Sequence, residues 1–272
     1  MRPPVALITG CSSGIGRELA LAFSRSGYRV WGTVRRETDQ QALRDTNIRS
    51  VILDVQNHQA FDALAEQIAS LEGRVDVLIN NAGIGIMGPL LDLPAERLQQ
   101  QFIVNCAAPI SLTRSLLPLL RQSQGLVINI GSVSGYLTTP FAGAYCASKA
   151  ALHALSDALR LELAPLGVRV MQVQPGAIAS QFGASSSQAA EQLIREDSPW
   201  WPFREGIRAR ANASQDQPTP ATQLAQAVLK ASQQATPPAV LRIGNGSWAL
   251  PWIARWVPRA LRDLLLRRHF GL

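Results

Sequence analysis

The sequence predicts an α/β protein built on one doubly wound parallel sheet. Short apolar runs alternate with helix-length amphipathic stretches along most of the chain. The runs are apolar at consecutive positions, which is typical of parallel strands that helices cover on both faces. Right-handed crossovers between such strands give a sheet of the Rossmann type.

Seven strands and five long helices follow from this pattern. The strands are predicted at 5–9, 28–34, 50–54, 75–80, 125–131, 168–175 and, on a weaker pattern, 239–243. The helices are predicted at 14–26, 57–72, 95–121, 143–166 and 221–234. Ser, Ala, Gln and Pro dominate from 181 to 220. We expect an irregular insert there, because long inserts between a strand and a helix usually form a lid or a mobile loop.

Composition limits the classes of protein that fit this chain. With 47% hydrophobic and 17% charged residues in a length of 272, the chain can bury a large core, which excludes disorder throughout. Three separated cysteines and three histidines show no metal-ligand spacing, so we expect reduced thiols, no metal site and a cytoplasmic protein. No run of 18 apolar residues occurs, so no transmembrane helix is expected.

A glycine-rich turn links the first predicted strand to the first predicted helix. Glycines let the backbone turn sharply and approach a phosphate closely, and the free N–H groups at the helix N-terminus attract an anion. The strand–turn–helix context favours a dinucleotide pyrophosphate site over an ordinary turn. The predicted contacts are Gly10, Ser12, Ser13, Gly14, Ile15 and Gly16.

The residues after the second strand indicate which dinucleotide binds. An acid here would accept a hydrogen bond from the ribose 2′-hydroxyl of NAD, but Arg35 and Arg36 stand in its place. Guanidinium groups pair well with phosphate, so we predict NADP(H) rather than NAD(H), and Ser13 could also contact the 2′-phosphate. The alternative is that both arginines are solvated loop residues with no phosphate contact. Glu37 follows closely, and an acid is the residue type that would favour NAD(H).

A tyrosine and a lysine lie one turn apart on the predicted helix 143–166. Tyr145 and Lys149 therefore share a helical face. A nearby ammonium favours the phenolate and would lower the pKa of Tyr145 toward the working range, which suits proton exchange with a carbonyl or alcohol. Ser132 follows the fifth strand at the carboxyl edge of the sheet, where ligands of α/β proteins bind. A surface Tyr–Lys pair is the alternative interpretation.

Taken in order, these motifs resemble those of the classical short-chain dehydrogenase/reductases. The resemblance rests on Thr-Gly-x-x-x-Gly-x-Gly from residue 9, Asn-Asn-Ala-Gly at 80–83, Ser132 and Tyr-x-x-x-Lys at 145–149, and it covers most of the chain. It implies further cofactor contacts with the adenine, the ribose and the nicotinamide. These are Asp54, Val55, Asn81, Ala82, Gly83, Pro175, Gly176 and Ile178, together with Tyr145 and Lys149.

The resemblance also implies a mechanism. A carbonyl carbon would receive hydride from NADPH, and Tyr145 would protonate the oxygen while Ser132 orients the substrate. Lys149 would lower the pKa of Tyr145 and bind the nicotinamide ribose, and Asn105 would connect Lys149 to solvent through water. A non-catalytic NADP(H)-binding sensor or scaffold on the same fold is the alternative, and the complete Ser-Tyr-Lys set argues against it.

The expected domain is single, with 1–180 as the cofactor-binding and catalytic core and 181–220 as a substrate lid. Apolar side chains of the lid and of the segment after Ser132 predict a pocket for a bulky hydrophobic ketone or aldehyde, unless they only pack the lid. They are Phe182, Leu193, Ile194, Trp200, Trp201, Phe203, Tyr136, Leu137, Pro140 and Phe141. The steroid and retinol dehydrogenase branch looks most similar, and the family implies a homo-oligomer.

The segment 245–272 is predicted to form an amphipathic C-terminal tail. Six arginines and one acid between 242 and 272 supply +5 of the net charge of +7. Leu261, Leu264 and Leu265 share a helical face, and the nearby tryptophans and arginines suit a helix at a membrane surface. Docking on the body of the protein or on a second copy is the alternative. No nucleic-acid partner is expected, because no recognised motif accompanies the charge.

Overall fold

One sheet of seven parallel strands organises the chain, in the order β3-β2-β1-β4-β5-β6-β7. The computed structural model describes residues 2–41, 43 and 46–272. The strands are β1 (Val5–Ile8), β2 (Arg29–Val34), β3 (Ile48–Ile52), β4 (Val77–Asn80), β5 (Leu126–Ile130), β6 (Arg169–Pro175) and β7 (Val240–Ile243). The predicted doubly wound α/β fold is confirmed, and each predicted strand overlaps an observed one.

Helices connect the strands and cover both faces of the sheet. They are α1 (Gly14–Arg25), α2 (Glu37–Gln41), α3 (Ala60–Leu71), α4 (Ala95–Phe102), α5 (Ala108–Ser123), α6 (Gly143–Leu163), α7 (Phe182–Glu191), α8 (Arg204–Asn212), α9 (Ala221–Ser232), α10 (Ala249–Trp256) and α11 (Arg259–His269). Successive strand side chains point to opposite faces. Ala6 and Ile8 therefore pack under α1 and α9, while Val5 and Leu7 pack under α3 and α5.

The predicted helix 95–121 is divided by a turn of π-helix. Five residues, Ile103–Ala107, separate α4 from α5 and carry Asn105. By length and hydropathy alone the run Ala95–Ser123 could span a membrane, and half of its most apolar window is buried in the fold. Leu112 and Leu116 pack in the same apolar cluster as β1 and α3, so the run packs as a core helix.

The insert 181–220 is largely helical, whereas the sequence predicts irregular structure. Helix α7 begins two residues after Ser180, and α8 follows a short turn at Trp201–Phe203. The reason is tertiary packing, which supplies most helix stability where local propensity is weak. Trp200 and Phe203 pack against a third apolar cluster that includes Phe141, Ile207 and Phe270.

The C-terminal tail contacts the body at both ends. Asn245 pairs with Ala177, and its backbone N–H donates to Oγ1 of Thr219 at 3.1 Å. Phe270 is 4% exposed and Leu266 packs beside it in the third apolar cluster. Between these ends, six large apolar side chains are exposed, namely Trp248, Trp252, Trp256, Leu261, Leu264 and Leu265. The tail therefore combines two docked ends with apolar side chains that are open to solvent between them.

Candidate active site

A cavity of about 830 Å³ opens at the carboxyl edge of the sheet. Its wall includes every residue that the sequence predicts for catalysis or cofactor binding, except Arg36 and Asn105. The first turn of α1 and the ends of β2, β4, β5 and β6 form one side. Helices α7, α8 and α11 contribute the other. The fold thus brings predicted residues from Gly10 to Ile178 into one space.

The glycine turn forms a cradle at one end of the cavity. A Cβ atom on Gly16 would lie 2.1 Å from the carbonyl oxygen of Gly10 and 2.4 Å from Nδ2 of Asn81, so only glycine allows this approach. Nδ2 of Asn81 donates to the carbonyl oxygen of Thr9 at 2.8 Å, which pins the turn to β4. No acid lies in the first turn of α1. Its N-terminus therefore fits the pyrophosphate of a dinucleotide.

The two arginines after β2 have different surroundings. Arg35 lines the cavity. Arg36 lies outside it, and its guanidinium donates to Asp39 through Nε at 3.0 Å and Nη2 at 3.0 Å. Arg36 was predicted as a second phosphate ligand, and its ion pair with Asp39 does not support that role. Asp54 lines the same end and accepts from the backbone N–H of Gln56 at 3.0 Å.

Tyr145 is enclosed by apolar side chains. The ring of Phe182 lies 5.4 Å from its ring, and Tyr145 is 7% exposed. Burial raises the pKa of the Tyr145 phenol to about 12, while a hydrogen bond with Ser132 and the charge of Arg210 act in the opposite direction. The sequence predicts a lowered pKa for Tyr145, whereas the structure gives a raised one, because desolvation outweighs the Ser132 hydrogen bond and the Arg210 charge.

Lys149 approaches Tyr145 but is held by the backbone. Its Nζ lies 5.9 Å from the centre of the Tyr145 ring and donates to the carbonyl oxygen of Ile130 at 2.9 Å. Burial lowers the pKa of Lys149 to about 8, partly offset by Cys106. The amine can therefore exchange protons close to neutral pH.

Asn105 holds the wall of the cavity from behind. Its Oδ1 accepts from the N–H of Ile84 at 2.9 Å, and its Nδ2 donates to the carbonyl oxygen of Ile84 at 2.9 Å and to Ser148 at 3.0 Å. A Cβ on Gly83 would lie 3.3 Å from Oδ1 of Asn105 and 3.7 Å from Nζ of Lys149. The π-helical turn thus places Asn105 near Lys149, with its amide engaged by its neighbours.

The predicted apolar wall is only partly in the cavity. Leu137 and Phe182 line it, while the other eight predicted side chains do not. Trp200 instead packs edge-on against Phe141 and at a tilt against Phe203, with ring centres 6.3 and 6.2 Å apart. For these side chains, the alternative that they pack the lid is the correct one.

Several cavity residues were missed by the sequence interpretation. They are contributed by α7, α8 and the tail, and include Gln188, Arg210, Leu266, His269 and Phe270. No motif marks them. Ile207, Arg210 and Ala211 follow the spacing of one helical face, which is the single available signal, and all three are buried.

Comparison with known proteins indicates the same family by family model and by individual relatives. The model of the family "short chain dehydrogenase" matches residues 4–191. The "Short-chain dehydrogenase ptmH" of Penicillium ochrochloron is 35% identical over 276 residues, which cover all of both chains. An "NADPH-dependent 3-dehydrocapnine reductase" of Ornithobacterium rhinotracheale is 38% identical over 187 residues, covering 65% of this chain and 66% of that protein.

A solved structure shares the whole architecture. A short-chain dehydrogenase from Streptomyces avermitilis superposes with a TM-score of 0.82 at 32% identity, covering 99% of this chain and 98% of that chain. The similarity therefore extends through the lid and the tail.

Proposed function

This chain belongs to the short-chain dehydrogenase family, and from that premise we propose that it is an NADP(H)-dependent oxidoreductase that interconverts a hydrophobic ketone or aldehyde and its alcohol. The observation that carries the proposal is the shared cavity: Ser132, Tyr145 and Lys149 line the same space as the glycine cradle. A reduced nicotinamide bound there would supply the two electrons of the reduction.

The proton chemistry is assigned to the chain's own side chains. Tyr145, whose pKa is raised to about 12, keeps its proton at neutral pH, as a proton donor to a carbonyl oxygen must. Ser132 bonds to the phenol and holds the substrate oxygen beside it. Lys149, whose pKa is lowered to about 8, returns a proton to the Tyr145 phenolate after each turnover and regains its own from solvent. Asn105 positions the wall that holds Lys149.

The cofactor preference is assigned to Arg35. It lines the adenosine end, whereas Arg36 is bonded to Asp39, and the similar reductase of Ornithobacterium is named for NADPH. Arg35→Ser should weaken NADPH affinity about tenfold or more with little change for NADH, because it removes a charge-assisted hydrogen bond to phosphate. Arg36→Ser is the matched control. Equal losses for both cofactors would contradict the assignment.

Turnover separates this proposal from the alternative of a non-catalytic NADP(H) sensor. Purified protein is given NADPH and a panel of hydrophobic ketones and aldehydes, and the loss of NADPH absorbance is followed. We expect turnover of at least one compound. Tight NADPH binding without turnover of any of them would favour the sensor.

The exposed face of the tail supports a second proposal, contact with an anionic lipid surface by an otherwise cytoplasmic enzyme. We define the tail face as Trp248, Trp252, Trp256, Leu264 and Leu265, which are between 55% and 68% exposed. Six arginines and one acid in 242–272 give the charge complementary to anionic headgroups. Exposed tryptophans with flanking cations suit the bilayer interface.

Vesicle sedimentation tests the tail face. We expect binding to phosphatidylcholine vesicles that contain phosphatidylglycerol, weaker binding without it, and loss in Trp252→Ser/Trp256→Ser but not in Leu91→Ser, another exposed apolar side chain. Sedimentation velocity on the same proteins measures the expected homo-oligomer. If the double variant only dissociates an oligomer and vesicle binding is unaffected, the tail face is a subunit contact.

A further inference from the structure

Two arginines of α8 have opposite surroundings. Arg208 is solvent-facing and pairs with Glu191 at 2.7 Å and with Glu205 at 2.7 Å. Arg210, two residues later, is 8% exposed and finds no carboxylate within ion-pair distance among the described residues. Its one side-chain hydrogen bond there runs from Nε to Oγ1 of Thr139, at 2.5 Å. The charge of Arg210 is buried without a counter-ion from this part of the chain.

Arg210 faces the catalytic end of the cavity. It lines the same wall as Thr139 and Tyr145, and its charge acts on the Tyr145 phenol. The two Nη atoms have no acceptor among the described residues, and neither is sealed off from the cavity space. Asp216 also lines the cavity but lies beyond ion-pair distance. Because Arg210 lines the cavity, these unpaired Nη atoms lie within reach of the space that a substrate would occupy.

A buried guanidinium without an anion is costly, because desolvation is not compensated and arginine cannot release its proton. Its planar fork is suited to two parallel hydrogen bonds with an oxyanion. We propose that Arg210 binds an anionic group of the substrate, so that the substrate is an amphiphilic carbonyl compound carrying a carboxylate, sulfate, sulfonate or phosphate. The proposal rests on the proposed reductase function and names the substrate class of that same site.

The rest of the cavity fits the apolar part of such a compound. Met87, Leu137, Phe182 and Leu266 line it together with Arg210. Phe270 closes the wall nearby and is buried. An apolar chain or ring can therefore fill this space while its acidic group reaches the guanidinium.

Ligand binding by the intact protein tests the charge preference directly. With saturating NADP⁺ present, calorimetry compares decanoate, decyl sulfate and decyl phosphate with the neutral probe decanol. We expect at least one anion to bind about 10- to 100-fold more tightly than decanol, the range expected for hydrogen bonds to a charged group. The three anions also distinguish a carboxylate, a sulfur oxyanion and a phosphate. Equal affinity of decanol and all three anions would overturn the proposal.

Variants then locate the preference. Arg210→Gln should abolish the anion preference, and Arg210→Lys should restore part of it, because lysine keeps the charge but loses the fork. Arg208→Gln removes a charge from the same helix and should leave the preference unchanged. A preference that survives Arg210→Gln, or a loss of NADP⁺ affinity equal to the loss of anion affinity, would contradict the assignment. Circular dichroism confirms that each variant is folded.

A neutral methyl ketone and the keto acid of the same length distinguish the two proposals. If wild-type protein reduces neither while binding NADPH, the reductase function fails. If it reduces both with equal kcat/KM, the reductase function stands and the role of Arg210 fails. We expect the keto acid to be preferred about tenfold or more in wild-type protein, with the ratio falling toward one in Arg210→Gln.

Discussion

The carboxyl edge of the sheet and the cover above it hold their cavity residues in different ways. We use "cover" for residues 181–220 and 245–272. At the edge, backbone hydrogen bonds fix the side chains: Asn81 bonds to Thr9, and Lys149 bonds to Ile130. In the cover, apolar packing holds Phe182 and Phe270, and Arg210 has a single side-chain partner. A rigid edge suits chemistry that needs fixed geometry, whereas a packed cover can change its lining without altering that chemistry.

The largest effect is expected from Tyr145, at the edge. Tyr145→Phe removes the proposed proton donor but keeps the ring that packs against Phe182, so the rate should fall by roughly 10²- to 10⁴-fold. Every substrate should be affected alike, and NADPH affinity should persist. Steady-state kinetics and NADPH fluorescence measure the two quantities. If near-normal turnover survived, the edge would not carry the chemistry.

The next largest effect concerns stability and pH. The pKa of Lys149 is lowered from 10.5 to about 8, so between these values the unfolded chain holds a proton that the folded protein lacks. The free energy of unfolding therefore rises with pH across this window. Below the window, the folded protein bears the full cost of the buried Lys149 charge. Lys149→Met should inactivate the enzyme and yet stabilise the cofactor-free protein at neutral pH, by up to roughly 3–4 kcal/mol.

Urea unfolding of wild type and Lys149→Met, from about pH 7 to pH 10, checks this effect of pH on stability. The difference between variant and wild type should shrink as pH rises. A constant or growing difference would show that the buried charge of Lys149 is not its source.

A smaller effect is expected at the phosphate cradle. Gly16→Ala places a Cβ against backbone and Asn81, and overpacking of this kind costs about 1–3 kcal/mol. NADPH affinity should fall with it. Gly143→Ala, also in the first turn of a helix, meets only Leu90 at 3.5 Å and serves as control. Thermal unfolding with and without NADPH measures both. A tolerated Gly16→Ala would mean that the edge is as adaptable as the cover.

The smallest effect is expected on the exposed part of the cover. Trp252→Ser should change the free energy of unfolding by less than about 0.5 kcal/mol, because Trp252 is 60% exposed and loses little packing. Urea unfolding measures it. A large loss of stability would show that the tail face is covered in solution, by lipid or by a second copy.

The same contrast explains what could be predicted from sequence. The strands carry several adjacent apolar residues each, and the cradle, Ser132, Tyr145 and Lys149 lie in motifs with fixed spacing, so the edge was predicted almost residue by residue. Arg210 was not, because 24 of the 26 basic residues are arginine and only its spacing with Ile207 and Ala211 on one helical face distinguishes it. Its burial depends on contacts between segments far apart in the chain.

Two other differences between the sequence prediction and the structure also depend on contacts that form only in the folded protein. The π-helical turn at Ile103–Ala107 keeps the apolar periodicity on both sides and leaves no pattern of its own. The direction of the Tyr145 pKa shift depends on desolvation by Phe182 and other members of the third apolar cluster, which approach only in the folded protein. Spacing on one helix identified the partners of Tyr145 but not the balance between burial and charge.

The scarcity of lysine makes the site open to chemical footprinting. Lys149 and Lys230 are the only two lysines of the sequence, and Lys230 is exposed at the end of α9. Because the pKa of Lys149 is about 8, an appreciable fraction of its amine is uncharged and nucleophilic at neutral pH. A small acylating reagent that enters the cavity should therefore modify Lys149 readily, and bound dinucleotide should shield it. Peptide mass spectrometry of the unaltered chain would then report cofactor occupancy, with Lys230 as an internal standard.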